Sequence, residues 1–147
     1  MFKHILVPTD GSPFAEPMVD RAIVFARENS ARITFFYSMP EYPLAFYGEG
    51  ALIDPTTPER FADMAAAQAK EILGRAEAKA RQQGVAAATL SLTNNAPWEG
   101  IIAAAEQTGV DLIFMASHGR RGISGLLLGS ETQKVLTHSK IPVLVYR

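Results

Sequence analysis

Ser117-His118-Gly119-Arg120-Arg121-Gly122, followed a few residues later by Gly129-Ser130, collects hydroxyls, an imidazole, two guanidinium groups and backbone-permissive glycines on one stretch of chain. That set suits an anion. Glycine lets a backbone N–H come close to a ligand, arginine supplies charge, and a helix opening after Gly129 would add unpaired N–H donors and a positive dipole end. Ser130 and Gln133 have the spacing of a capping box at that helix start, so Ser130 is expected as the cap, a role its hydroxyl can combine with a phosphate contact. The glycines Gly122 and Gly125 read as turn residues. A second chemical group lies far away in sequence, at Pro8-Thr9-Asp10-Gly11. Asp10 follows an apolar run and could hold a ribose hydroxyl or a metal ion.

The elements around these residues alternate. Ile5-Leu6-Val7 predicts a buried first strand. Ser12-Pro13 predicts a helix start, with a helix to about Asn29 whose apolar face carries Phe14, Met18, Ala22 and Phe25. Arg32 to Tyr37 is a β-branched and aromatic second strand, ending before Pro40. From Met39 to Thr57 no period is visible, and a loop that long is usually functional. Thr57-Pro58-Glu59 opens the longest helix, closing at Gly84; a third strand follows at Val85 to Thr93 and a helix from Asn95-Ala96-Pro97 to Thr108. Asp111 to Ala116 is a fourth strand, buried on both faces, and Ile141 to Tyr146 a fifth after the helix at Ser130 to His138. Trp98 and the run Phe35-Phe36-Tyr37 read as core rather than as base-stacking platforms. Strands alternating with helices imply right-handed crossovers and a parallel sheet between helical layers. Ligands of such sheets sit at the C-terminal strand ends, near the switch in strand order, which would join Asp10 to the segment from Ala116 to Gly122 if their strands are neighbours.

Composition narrows the function. At 147 residues with 48% apolar and 20% charged residues, the chain fits one domain, residues 1–147, with material for a core. Fourteen basic and fifteen acidic side chains leave a net charge of −1, so non-specific nucleic-acid binding lacks its field. With no cysteine and only His4, His118 and His138, neither disulfides, thiolate sites nor a histidine metal cluster are expected. No run reaches membrane-spanning length and no leader is evident at the start, so a cytoplasmic location is expected.

Val7-Pro8-Thr9-Asp10-Gly11-Ser12, together with Met115-Ala116-Ser117-His118-Gly119, nine residues, then Gly129-Ser130, closely resembles the universal stress protein family over nearly the whole chain. The nucleotide-binding branch of that family has Gly-x-x-Gly, nine residues, Gly-Ser/Thr; here Ala116 stands at the first glycine. If that backbone needed positive φ or close phosphate approach, the methyl would cost about 1 kcal/mol.

The resemblance implies a three-layer α/β/α fold of the adenine nucleotide alpha hydrolase-like kind, with strand order 3-2-1-4-5. It implies a nucleotide site made of Pro8, Thr9, Asp10, Ser38, Met115, Ala116, His118, Gly119, Arg120, Arg121, Gly129, Ser130 and Glu131. Asp10 would lie near the ribose and a Mg2+ carried by the nucleotide, and backbone at Ser38 near the adenine. The ligand expected is ATP or another adenine nucleotide, in a homodimer formed through Val143, Leu144, Val145 and Tyr146 that serves stress signalling with a further partner. An apolar terminal edge strand invites such pairing on physical grounds as well. The alternatives are a nucleotide-free interaction dimer of the same fold and, since no usual catalytic signature is present, at most a slow ATPase. A nucleic-acid binder depending on Arg120 and Arg121 ranks last.

Overall fold

Side chains two apart along a strand point to one face, and the burial pattern divides the strands accordingly. Ile5, Val7, Ile33, Phe35, Tyr37, Leu112 and Phe114 fall in one buried cluster, while Leu6, Phe36, Ile113 and Met115 fall in the other. The computed structural model, which describes residues 1–43, 57–118 and 128–147, builds these faces into one parallel sheet. Its strands are β1 (His4–Pro8), β2 (Arg32–Met39), β3 (Ala87–Thr93), β4 (Leu112–Ala116) and β5 (Val143–Tyr146). The order is β3-β2-β1-β4-β5, as expected.

Helices α1 (Glu16–Glu28) and α2 (Pro58–Gln82) cover the first face through Met18, Ala22, Ala69, Ile72 and Ala76. Helices α3 (Pro97–Thr108) and α4 (Ser130–His138) cover the second through Ile101, Ala104, Ala105 and Val135. Residues buried on both faces explain why β1 and β4 read as continuous apolar runs. Registers Ile5↔Leu112 and Leu6↔Ile113 make β1 and β4 neighbours, so the chain reverses its direction of travel across the sheet there. Lys79 of α2 pairs with Glu16 and Asp20 of α1, which raises its ammonium pKa; the hydrogen bond it donates to the Glu16 carboxylate is the main cause. These groups are more than one-third exposed, so the clasp contributes little to stability. No helix of the described residues is long and apolar enough to cross a membrane.

Thr57 caps α2 as its sequence predicts, its Oγ1 accepting from the amide of Arg60 at 3.2 Å. The first helix differs from expectation. It begins at Glu16, with Ala15 as N-cap, and the residues from Ser12 form a turn in which the amide of Ala15 donates to the carbonyl of Ser12 at 3.0 Å. Pro17 is the reason: it has no N–H to give the carbonyl four residues back and its ring crowds that carbonyl, so it is accommodated only in a first turn. Phe14 therefore lies before the helix and is 64% exposed, off the buried face assigned to it. Phe35 and Phe36 are fully enclosed core residues.

Candidate functional site

The loop after β1 is held by its own short side chains. The amide of Thr9 extends the β1–β2 ladder by donating to the carbonyl of Phe36 at 2.9 Å. Thr9 Oγ1 accepts from the amide of Gly11, and Asp10 Oδ1 from the amide of Ser12 at 2.9 Å. Gly11 has φ +71°, and a Cβ there would come within 2.7 Å of Ile72 in α2, so both backbone conformation and space demand glycine. Asp10 is thus fixed where β1 ends, half-buried.

The end of β4 is equally tied down. The amide of Ser117 donates to the carbonyl of Tyr146, and Ser117 Oγ is 3.0 Å from Nδ1 of His118. Gly129 donates its amide to the carbonyl of Ser117 at 2.8 Å, and Thr132 Oγ1 donates to the carbonyl of Ala116 at 2.9 Å. Together they set the first turn of α4 against the strand end. Ser130 does not cap this helix. Gly129 occupies the N-cap position because its carbonyl already accepts the amide of Gln133, leaving Ser130 as the exposed first helical residue, while Gln133 Nε2 donates to the carbonyl of Leu128. The N-terminal, positive-dipole end of the helix still lies against the strand end through the bond from Gly129 to Ser117.

Met115 is buried on the α3–α4 face and Ala116 packs against the α1–α2 cluster, so β4 brings backbone rather than these side chains to its C-terminal end. Glu131 turns away: its Oε2 accepts the amide of Trp98 at 2.8 Å, filling a donor at the start of α3, and its other oxygen meets Lys134. The Trp98 ring lies 4.6 Å from that of His138, joining the same two helices. Gly119, Arg120, Arg121, Gly122 and Gly125 lie outside the described residues, as do residues 44–56 of the long loop.

Asp10 and Ser38 line one cavity of about 290 Å³, with Tyr37, Pro40, Asn94, Asn95 and Pro97. A larger hollow of about 390 Å³ beside it is walled mostly by apolar groups such as Met39, Phe61 and Ala66 and contains no expected site residue. The cavity with Asp10 is the candidate site because it sits where the strand order places a ligand. Sequence reasoning missed Thr132 and Asn94, and took Asn95 only as part of a helix start. The available signal was that β3 also ends at the ligand edge.

The sequence profile of the Universal stress protein family matches residues 1–147. The chain belongs to that family. Universal stress protein YxiE of Bacillus subtilis is 32% identical over the full length of both chains. Among solved structures, the hypothetical protein MJ0577 of Methanocaldococcus jannaschii superposes with a TM-score of 0.81 at 28% identity, covering 99% of this chain and 95% of its own. A universal stress protein family member from Burkholderia pseudomallei gives 0.76 at 26% identity, covering 98% and 95%. The five-stranded order and the two helical layers are those of this family's fold.

Proposed function

We propose that this family member binds an adenine nucleotide, ATP with Mg2+, along the C-terminal edge of its sheet, and acts as a homodimer in cytoplasmic stress signalling. The observation that carries the reading is that Asp10, ending β1, and Ser38, near the end of β2, line one cavity, while the next strand, β4, ends against the N-terminus of α4. A nucleoside in the cavity would set its phosphates toward that helix start, with Arg120 and Arg121 following His118 in sequence to supply charge.

Two more distant structures of the same fold, 24% and 22% identical, are of proteins in complex with cAMP and dAMP, which fits an adenylate on this architecture. Among the described residues no group of three or more His, Asp or Glu side chains could hold a metal. Mg2+ would therefore come with the nucleotide, bound by phosphate oxygens, water and the Asp10 carboxylate, where it would neutralise phosphate charge. The chain's own residues bind and orient; none is assigned to hydrolysis.

Calorimetry of Mg-ATP on wild type and Asp10→Ala tests the reading. Micromolar binding weakened at least tenfold in Asp10→Ala supports it. No heat from wild type overturns it and leaves the nucleotide-free interaction dimer.

A further inference from the structure

We infer that Asn94 is a specificity-determining contact of the Asp10 cavity, offering its side-chain NH2 to an acceptor atom on the base of the bound nucleoside. This rests on reading the cavity as a nucleoside site.

Asn94 is held by three hydrogen bonds that leave one group over. Its backbone amide donates to the carbonyl of Met39 at 2.9 Å, and its own carbonyl accepts from Ser38 Oγ at 3.3 Å, lashing the end of β3 to the end of β2. Its Oδ1 accepts the amide of Ala96 at 2.7 Å. That last bond fixes the orientation of the carboxamide, because an NH2 placed there would face another donor. Only Nδ2 remains, and among the described residues it has no hydrogen-bond partner.

The backing is filled: a methyl at Gly100 would touch Ser38 Oγ at 3.5 Å and Asn94 Cβ at 3.7 Å and press on Phe36 at 3.2 Å. Tyr37, only 8% exposed, lines the same cavity, and its hydroxyl has no partner among the described residues. Neither atom is enclosed, so two polar groups without protein partners stand open on one wall of the cavity to water or ligand. A carboxylate at Asp10 accepts hydrogen bonds; a locked amide NH2 gives them. A nucleoside matches both demands, with hydroxyls on its sugar and acceptor nitrogens in its base.

The test is calorimetry on the full chain with adenosine and with deaza-adenosines in which one ring nitrogen at a time is replaced by CH. Wild type is compared with Asn94→Ser and Asn94→Asp. Both substitutions keep an oxygen for the amide of Ala96, so the turn survives, and both remove the donor. Adenosine has no net charge, so the new carboxylate of the aspartate variant adds no ion–ion repulsion, only the mismatch of an acceptor facing an acceptor that the inference requires. Adenosine affinity is expected to fall about tenfold in both, equivalent to about 1.4 kcal/mol. Wild type is expected to reject one deaza-adenosine that the serine variant binds as well as adenosine.

Adenosine binding by both variants at wild-type affinity overturns the role of Asn94 and leaves the nucleoside site standing, as does indifference of wild type to every deaza analogue. A loss of affinity that merely follows a large drop in melting midpoint assigns Asn94 to the turn alone and overturns the inference. Wild type that binds neither adenosine nor ATP overturns both readings.

Discussion

The amide of Gly129 meets the carbonyl of Ser117 at 2.8 Å, and a Cβ added to Gly129 would lie 3.1 Å from that same oxygen. Gly129 has φ −58°, so the demand is for space and not for an unusual backbone. Gly129→Ala should push the start of α4 away from β4 by a few tenths of an ångström and cost about 1 kcal/mol, lowering the melting midpoint by roughly 4 °C. Nucleotide affinity should fall with it, since the same shift moves the helix N-terminus. An unchanged midpoint and affinity by thermal melting and calorimetry would show that the contact yields freely.

Gly11 makes the opposite case, with both constraints present. Gly11→Ala should cost about 2 kcal/mol, part from φ +71° and part from the approach to Ile72 within 2.7 Å. Ile72→Ala combined with Gly11→Ala should recover the steric part only. The measurement is a double-mutant cycle in chemical denaturation; a coupling energy near zero would mean that Ile72 already has room to move.

The layers were legible because the strand signals were strong: Ile5-Leu6-Val7 and Leu112 to Ala116 are unbroken apolar runs, and Thr57-Pro58 and Gly84 bracket α2; the strand order came only from the family resemblance, because apolar runs do not say which strands pair. Phe14 is misplaced because Pro17 is tolerable only near a first turn, and a helix opening at Pro13 puts it just beyond one; starting at Glu16 brings it inside and leaves Phe14 out. Ser130 was given the cap because serine at a helix start usually has it, whereas packing of Gly129 on Ser117 decides the matter, a tertiary contact that spacing does not encode. Glu131 fits the motif by position, yet its carboxylate goes to Trp98, thirty-three residues away. Asn94 stood in plain view at a strand end, but only the bond to Ala96 shows which half of its amide is left over.

Acid should weaken the fold in two stages. His4 at the start of β1 has Nε2 2.8 Å from Thr34 Oγ1, while Nδ1 is buried without a partner among the described residues. Burial above all, with help from Arg32 and against the pull of Asp111, holds its pKa below the ordinary 6.5. The unfolded chain then binds the proton first, so stability falls as pH drops below about 6.5 toward the folded value. Burial alone would raise the pKa of Asp111, but the amides of Lys3 and His4 donating to its carboxylate outweigh that and lower it from 3.8. Its stabilisation is present above that value and is lost as pH falls through the lower folded one. His4→Gln, which cannot titrate, should flatten the first stage in denaturation midpoints measured from about pH 7 down to about pH 2 and leave the second; an unaltered first stage would exclude His4 as its source.

Val145 gives the cleanest probe of the proposed dimer. Among the described residues β5 is an edge of the sheet, paired with β4 alone, and all four of its residues are half-buried in the single chain. Leu144 and Tyr146 pack on one core cluster and Val143 on the other, so substituting them would injure the fold. Val145 belongs to neither cluster. Val145→Glu should therefore hold its melting curve in dilute protein but elute as monomer on size exclusion, because a charge on an apolar edge opposes strand-to-strand contact. A dimer that survives the substitution would place the interface elsewhere.

Ala116 decides how much the missing motif glycine matters. It closes β4 in register with Tyr146, its carbonyl accepts Thr132 Oγ1, and Ser30 is the one non-glycine with positive φ among the described residues. Alanine therefore meets no conformational penalty here, and its methyl packs on the α1–α2 cluster with Phe114. Ala116→Gly should gain little affinity, less than about threefold, while destabilising the strand by about 1 kcal/mol through backbone freedom and lost packing. Binding of Mg-ATP by the glycine variant alone would mean that the methyl blocks the phosphate, and that this chain kept the fold of its family while giving up the ligand.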